Sequence, residues 1–162
     1  MSRTDTSLAY KIEQAAAADL KQILALQKTA YLSEAEIYND FNIPPLLQSD
    51  DEIEKEFSSH LFLKIELEGE IIGSVRACEK DGVCHVGKLI VSPEHQNKGL
   101  GSALLRGIEA HYPSVRAYEL FTGSRSLKNL HIYAKHGYMI RDSRKVSPSL
   151  TISFLRKENL NR

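Results

Sequence analysis

The sequence has few cysteines, no excess of charge of either sign and no long apolar run. Its 162 residues include 2 cysteines, and 21 basic side chains balance 21 acidic ones. Two cysteines are too few for a disulfide framework, and they lack metal-ligand spacing with histidine, so we expect no bound metal. The balanced charge creates no overall field toward nucleic acid or an anionic membrane, so we expect neither as a partner. Any polyanionic ligand must therefore be held by local groups.

The distribution of apolar residues bears on location and size. No window approaches the roughly 18 apolar residues of a membrane helix, and the N-terminal residues contain no apolar stretch of signal-peptide length. We therefore expect a cytoplasmic protein. With 42% hydrophobic and 26% charged residues, the chain is long enough for one domain with a hydrophobic core and short for two. We predict a single domain over residues 1–162.

Hydrophobic periodicity predicts a mixed α/β fold. A first strand is expected over residues 8–14, and a helix near Asp19 buries an inner stripe of Leu20, Ile23, Leu24, Gln27 and Tyr31. Residues 33–45 are less regular, and Pro44-Pro45 is expected to stop any helix there. Ser49 is a candidate cap for a further helix. The later strands are predicted over residues 60–67, 71–79, 83–91, 115–122, 137–141 and 150–155, with helices over 100–113 and 126–136.

The hairpin signal at Asp81-Gly82 fixes a strand register. A two-residue turn there places Glu79 opposite Cys84 and Cys78 opposite His85. The two cysteines then lie on opposite faces of the sheet, so we expect them to be buried free thiols. The same register places His85 on one face with Arg76, Cys78 and Gly87.

A glycine-bearing loop, Gln96-Asn97-Lys98-Gly99-Leu100-Gly101, connects the strand ending at residue 91 to the next helix. Unpaired N–H groups and the helix dipole favour an anion at such a helix start. Glycine lets the backbone approach a phosphate, and either glycine can adopt positive φ. Lys98 and Gln96 can add a charge and a donor. The alternative is an ordinary tight turn.

Two other phosphate-binding motifs fit this loop poorly. A dinucleotide fingerprint needs a third glycine where this chain has Leu104. A P-loop needs a lysine and then Ser or Thr after the last glycine, but Lys98 precedes both glycines. A nucleotide-binding module that uses this loop for ATP is therefore disfavoured.

The loop resembles the Q/R-x-x-G-x-G/A motif of the GNAT superfamily of acyl-CoA-dependent N-acyltransferases. The order of elements is similar to that fold over most of residues 8–156, and Ile132 to Tyr138 resembles its second motif. The resemblance implies a mixed, mostly antiparallel central sheet flanked by helices. It also implies transfer of an acetyl group from acetyl-CoA to a primary amine of a small molecule or peptide, by direct attack in a ternary complex. The alternative is a domain of this fold that binds or senses acyl-CoA without turnover.

The resemblance assigns the donor side of the site. Backbone groups of Leu89, Ile90 and Val91 would pair with the pantetheine arm. Tyr133 would be the general acid that protonates the leaving thiolate, unless it only packs in the helix. Family members often carry asparagine seven residues before the tyrosine, whereas this chain has Ser126 there and Asn129 one turn later, and either can contact CoA. The pyrophosphate would be held by Gln96, Asn97, Lys98, Gly99, Leu100, Gly101 and Ser102.

The sequence leaves several alternatives for the residues that bind the acceptor and accept its proton. His85 occupies a position where some family members place a glutamate base, and histidine exchanges protons near neutrality; it can equally be a structural strand histidine. Glu34 or Glu36 can hold an ammonium or act as base, with Tyr31 or Tyr38 beside it, or these residues form a solvated acidic face. Arg76 instead favours an acceptor with a carboxylate. Members of the family often dimerise, so a homodimer is possible, although no pattern identifies an interface.

Overall fold

The computed structural model describes residues 11–161, in which seven strands form a sheet of order β1-β2-β3-β4-β5-β7-β6. Only β4 and β5 pair in parallel, and the other neighbours in this sheet are antiparallel. The predicted mixed, mostly antiparallel architecture is therefore confirmed. The strands are β1 Lys11–Gln14, β2 Leu61–Leu67, β3 Glu70–Lys80, β4 Val83–Val91, β5 Ala117–Gly123, β6 Met139–Ser147 and β7 Leu150–Glu158.

Helices cover both faces of the sheet. Among the described residues these are α1 Leu20–Tyr38, α2 Pro44–Leu47, α3 Asp50–Phe57, α4 Leu100–His111 and α5 Leu127–Lys135. Buried side chains of α4, such as Leu104 and Ile108, belong to one core cluster, and Ile23 of α1 belongs to the other. Consecutive β2 residues, Phe62 and Leu63, enter different clusters because side chains alternate across a strand. None of the helices described is long and apolar enough to cross a membrane.

A tight turn at Asp81-Gly82 sets the register of the β3-β4 hairpin. Asp81 and Gly82 have φ values of 54° and 79°, as a type I′ hairpin turn requires. Cys78 pairs with His85 and Glu79 with Cys84, so the predicted register is confirmed. Both thiols are free, but only Cys84 is fully buried, and Cys78 is partly exposed.

The helix α1 is longer than predicted. It continues into the segment expected to be irregular and ends at Tyr38, and the next residue, Asn39, has a left-handed φ of 49°. Ala35 and Tyr38 are buried, so packing against the core keeps this carboxylate-rich segment helical. The prediction for Pro44-Pro45 is also wrong, because a short helix begins there. Proline is tolerated in a first helical turn, whose N–H groups need no helical partner.

Other boundaries differ in smaller ways. The first strand is described from Lys11, and the predicted positions before it, Leu8 and Tyr10, lie outside the described residues. Ser49 caps α3 as predicted: the N–H of Glu52 donates to Ser49 Oγ at 3.1 Å, and the N–H of Ser49 donates to Glu52 Oε1 at 2.9 Å. The final antiparallel pair is confirmed, but both of its strands are longer than predicted.

The strands β4 and β5 diverge soon after they begin to pair. Their parallel pairing is confined to Val83–His85 with Ala117–Glu119. On its other side, β4 stays paired with β3 but contains a bulge: Ile90 pairs with Ser74 and Gly87 with Arg76. Two β4 residues, Lys88 and Leu89, therefore face one β3 residue, and Lys88 has a φ of 51°. The divergence opens the sheet where the candidate site lies.

Candidate active site

A cleft of about 940 Å³ lies where β4, the loop after it and α5 come together; we call it the loop cleft. It brings together most of the residues predicted to bind the donor. Lys98 is exposed and is absent from its lining. The predicted residues that line it are Leu89, Ile90, Val91, Gln96, Asn97, Gly99, Leu100, Gly101, Ser102, Ser126 and Asn129.

The N-terminus of α4 forms one wall of the loop cleft. Gly99 precedes the helix with a φ of 84°, and no side chain caps the helix start. The N–H groups of its first turn are therefore available to an anion. Gly101 lies in helical conformation, so only Gly99 of the two glycines has the positive φ considered from sequence. The side chain of Gln96 donates to the carbonyl of Val91 at 3.2 Å and so shapes the loop.

A row of basic side chains on α5 also lines the loop cleft. Lys128, His131 and Lys135 lie three and four residues apart, which places them on one side of the helix, and Arg125 precedes them. Sequence reasoning missed this row although its spacing was visible. It gives an electrically neutral chain a local cationic surface, which suits a ligand with several phosphates.

A second pocket of about 340 Å³, the strand pocket, lies between the diverging β4 and β5. It contains the residues predicted to catalyse the reaction or bind the acceptor: Glu34, Tyr38, Arg76, His85 and Tyr133. The strand pocket and the loop cleft meet, because both are lined by Tyr31, Glu34, Leu89 and Asn129.

Tyr133 lines the strand pocket beside this junction. Its side chain is 5% exposed, and its hydroxyl makes no hydrogen bond within residues 11–161. Burial, and then the nearby Tyr31 and Glu34, raise the pKa of Tyr133 well above its usual range. The phenol therefore keeps its proton at neutral pH and has it free to donate. Tyr133 lines the strand pocket rather than the loop cleft, whereas Asn129 of the same helix lines both.

A chain of hydrogen bonds fixes the carboxylate of Glu34 at the junction. The hydroxyl of Ser126 donates to Glu34 Oε1 and accepts from the hydroxyl of Tyr38, with an oxygen separation of 2.8 Å. The backbone N–H of Arg125 in turn donates to Tyr38 at 2.9 Å. Ser126 is the residue that immediately precedes α5, not a residue within that helix. Sequence reasoning selected three members of this chain but missed their connection.

Gly123 is required for this arrangement. A Cβ at this position would overlap the hydroxyl of Tyr38 and lie 2.9 Å from its Cε2. Tyr38 is 3% exposed, so it has little space into which it can move. The glycine at the end of β5 therefore lets α1 place Tyr38 and Glu34 against the β5-α5 connection.

Arg76 is buried at the edge of the strand pocket, and its guanidinium already has partners within the protein. Its guanidinium forms an ion pair with Glu56 at 2.6 Å and donates to Gln27 Oε1 at 2.6 Å. Burial alone would raise the pKa of Glu56, but Arg76, Gln48 and Lys88 together hold it below its usual range. Two guanidinium nitrogens are thus committed to partners within the protein.

The family is identified by the match of its sequence profile. The profile described as the acetyltransferase (GNAT) family matches residues 19–138. The chain belongs to the GNAT family. Among curated proteins, it is 26% identical over 133 residues to the UPF0157 protein YqkA of Bacillus subtilis. This match covers 82% of the chain but only 38% of that relative, so the chain spans less than half of the relative's length.

Solved GNAT structures share the fold at low sequence identity. The ribosomal-protein-S18-alanine N-acetyltransferase from Escherichia coli aligns with a TM-score of 0.76 at 14% identity, over 92% of this chain and 93% of its own. The acetyltransferase yncA from Salmonella typhimurium, solved with acetyl-CoA, aligns with a TM-score of 0.71 at 21% identity, over 95% of this chain and 96% of its own. The PaiA N-acetyltransferase from Thermoplasma acidophilum, solved with coenzyme A, has a TM-score of 0.68 at 18% identity, over 92% of this chain and 98% of its own.

His85, the other candidate base in this GNAT protein, is not among the residues that line both cavities. Its side chain is 45% exposed, and Nδ1 is 3.9 Å from Glu119 Oε1. As predicted, its cross-strand partner is Cys78, on the face that also carries Arg76 and Gly87. It lines the strand pocket but not the loop cleft. Glu34, which lines both, is therefore better placed to act where the two ligands would meet.

Proposed function

We propose that this protein transfers an acetyl group from acetyl-CoA to a primary amine of a small molecule or peptide, by direct attack in a ternary complex. The proposal rests on one observation above all: the loop cleft and the strand pocket meet beside Glu34 and Tyr133. Direct transfer requires two ligands whose reacting atoms touch. Two connected cavities with a carboxylate at their junction and a free phenol beside it meet that requirement.

The loop cleft is proposed to hold coenzyme A. The N–H groups at the start of α4 bind the pyrophosphate, and the basic row on α5 attracts the phosphates. The edge of β4 that β5 leaves unpaired offers backbone groups of Leu89, Ile90 and Val91 to the pantetheine arm. The thioester supplies an activated acyl carbon and a thiolate leaving group.

The residues at the junction are proposed to move the protons. A primary amine with a pKa of about 10.4 is mostly protonated at pH 7 and must lose a proton before it attacks. Glu34 attracts the ammonium and accepts that proton, directly or through water, while Ser126 and Tyr38 hold its carboxylate in place. The hydroxyl of Tyr133 donates to the departing sulfur. The GNAT likeness leaves the alternative of a domain that binds acyl-CoA without turnover.

The test is release of free thiol from acetyl-CoA with a panel of primary amines, for the wild type and for Glu34→Gln. We expect thiol release that depends on both substrates, and a loss of about 100-fold or more in kcat for Glu34→Gln, within the range of general-base catalysis. Glu54→Gln, an exposed change on α3, is the matched control. Tight CoA binding without thiol release from any amine would contradict the enzyme and favour the binding domain.

A further inference from the structure

Lys88 places a basic side chain in the strand pocket. It occupies the β4 bulge with a φ of 51°, and the side chain is partly buried. Within residues 11–161 its ammonium has no hydrogen bond and no ion pair, although it lines a pocket that also contains Glu56. Burial, and then the nearby Arg76, lower the pKa of Lys88, and the charge of Glu56 offsets this only in part.

One basic and one acidic side chain of the strand pocket, those of Lys88 and Glu34, form no ion pair among the described residues. Four side chains that are charged at neutral pH line the strand pocket. Arg76 and Glu56 neutralise each other in an ion pair of 2.6 Å. Glu34 accepts a hydrogen bond from a neutral hydroxyl only. Lys88 feels the charge of Glu56 but forms no hydrogen bond or ion pair among the described residues. A ligand complementary to this pocket therefore carries both a positive and a negative group.

We propose that the acceptor is an amino-carboxylate, whose amine lies at Glu34 and whose carboxylate is bound by Lys88. The inference rests on the proposed function for the role of the amine, and it narrows the acceptor from any primary amine to one with an acidic group. It transfers to Lys88 the role that the sequence suggested for Arg76. The structure favours Lys88 because both terminal nitrogens of Arg76 are bound to Glu56 and Gln27, and its Nε, which has no hydrogen-bond partner among the described residues, is fully buried.

The apolar residues of the lining favour a ligand whose side chain is apolar. Several apolar side chains border the pocket: Ile43, Pro44, Phe121, Leu150 and Ile152. A volume of about 340 Å³ is at the lower end for small-molecule sites. L-Leucine and L-phenylalanine combine an amine, a carboxylate and an apolar side chain, so they serve as probes.

The test measures binding, which does not depend on turnover. Calorimetry on the protein saturated with CoA compares L-leucine and L-phenylalanine with their carboxamides, which lack the negative charge. Lys88→Met removes the ammonium and keeps the chain length. It adds no backbone strain, since methionine and lysine both carry a Cβ at this positive φ. Lys88→Arg restores the charge, and Lys80→Met, an exposed change outside the strand pocket, is the control.

We expect Lys88→Met to weaken binding of the amino acids by about 10- to 100-fold, the range for a lost hydrogen bond to a charged group. The carboxamides should change by less than about 3-fold, and Lys88→Arg should recover most of the loss. The inference would be overturned if Lys88→Met weakened binding of the amino acids and the carboxamides equally, or weakened neither. It would also be overturned if the wild type bound the amino acids no more tightly than the carboxamides. Charge-dependent binding without any thiol release would support it and contradict only the proposed acetyl transfer.

Discussion

Replacing Tyr133 with phenylalanine separates catalysis from structure. The hydroxyl has no hydrogen-bond partner among the described residues, so its removal leaves no protein group unsatisfied. The ring keeps its place in the core, 6.0 Å from the ring centroid of Tyr138. The free energy of unfolding should therefore change by less than about 1 kcal/mol.

The effect on turnover should be large. General acid catalysis contributes about 100- to 10,000-fold, which corresponds to about 2.7 to 5.4 kcal/mol of activation free energy. Tyr133 lines the strand pocket and not the loop cleft, so the Kd of CoA should change by less than about 3-fold. The assays are thiol release for kcat, calorimetry for CoA and thermal unfolding for stability.

Tyr138 provides a matched control that should behave in the opposite way. Its hydroxyl donates to Glu109 Oε2 at 2.9 Å, and it lines neither the loop cleft nor the strand pocket. Tyr138→Phe should cost about 1.5 to 3 kcal/mol of stability, lower Tm by roughly 3 to 12 °C and leave kcat within about 3-fold. Unchanged kcat in Tyr133→Phe, or parallel losses of kcat and Tm, would refute the reasoning about Tyr133.

Three further changes test the surroundings of the site. Gly123→Ala should displace Tyr38 and lower kcat at least about 10-fold with CoA affinity retained; unchanged kcat would contradict the positioning role. The depressed pKa of Glu56 means that its stabilisation is present above the ordinary value of 4.5 and is lost as pH falls through the lower folded value. Urea unfolding of Glu56→Gln should therefore show a smaller loss of stability at low pH than the wild type. The change should also cost about 3 to 5 kcal/mol at neutral pH, because Arg76 stays buried without a counter-charge. Changing Lys128 and Lys135 together to methionine should weaken CoA binding about 3- to 10-fold and reduce its salt dependence; an unaltered salt dependence would remove the basic row from the site.

Local features of the sequence predicted much of the fold. The register of the β3-β4 hairpin follows from Asp81-Gly82 because a two-residue turn fixes which residues face each other. The uncapped start of α4 beside the loop cleft follows from a strand, a glycine-bearing loop and a helix start in succession. These features depend on residues close together in the chain.

Features that depend on contacts between residues far apart in the chain could not be predicted from the sequence. Ser126 meets Glu34 across 92 positions and Tyr38 across 88, so no spacing rule could join them. The partners of Arg76, Glu56 and Gln27, are likewise remote in the chain, so the charge of Arg76 alone could not indicate these contacts. The bulge that contains Lys88 is visible only when β4 is compared with its partner strand β3.

The central claim is that the sulfur of CoA lies at the junction of the two cavities. A crystal structure of the wild type with bound CoA tests it most directly. We predict density for the pyrophosphate at the N–H groups of Leu100, Gly101 and Ser102, and the sulfur within hydrogen-bond distance of the Tyr133 hydroxyl and close to Glu34. CoA bound elsewhere, or bound in the loop cleft with its sulfur directed away from Tyr133, would contradict the account.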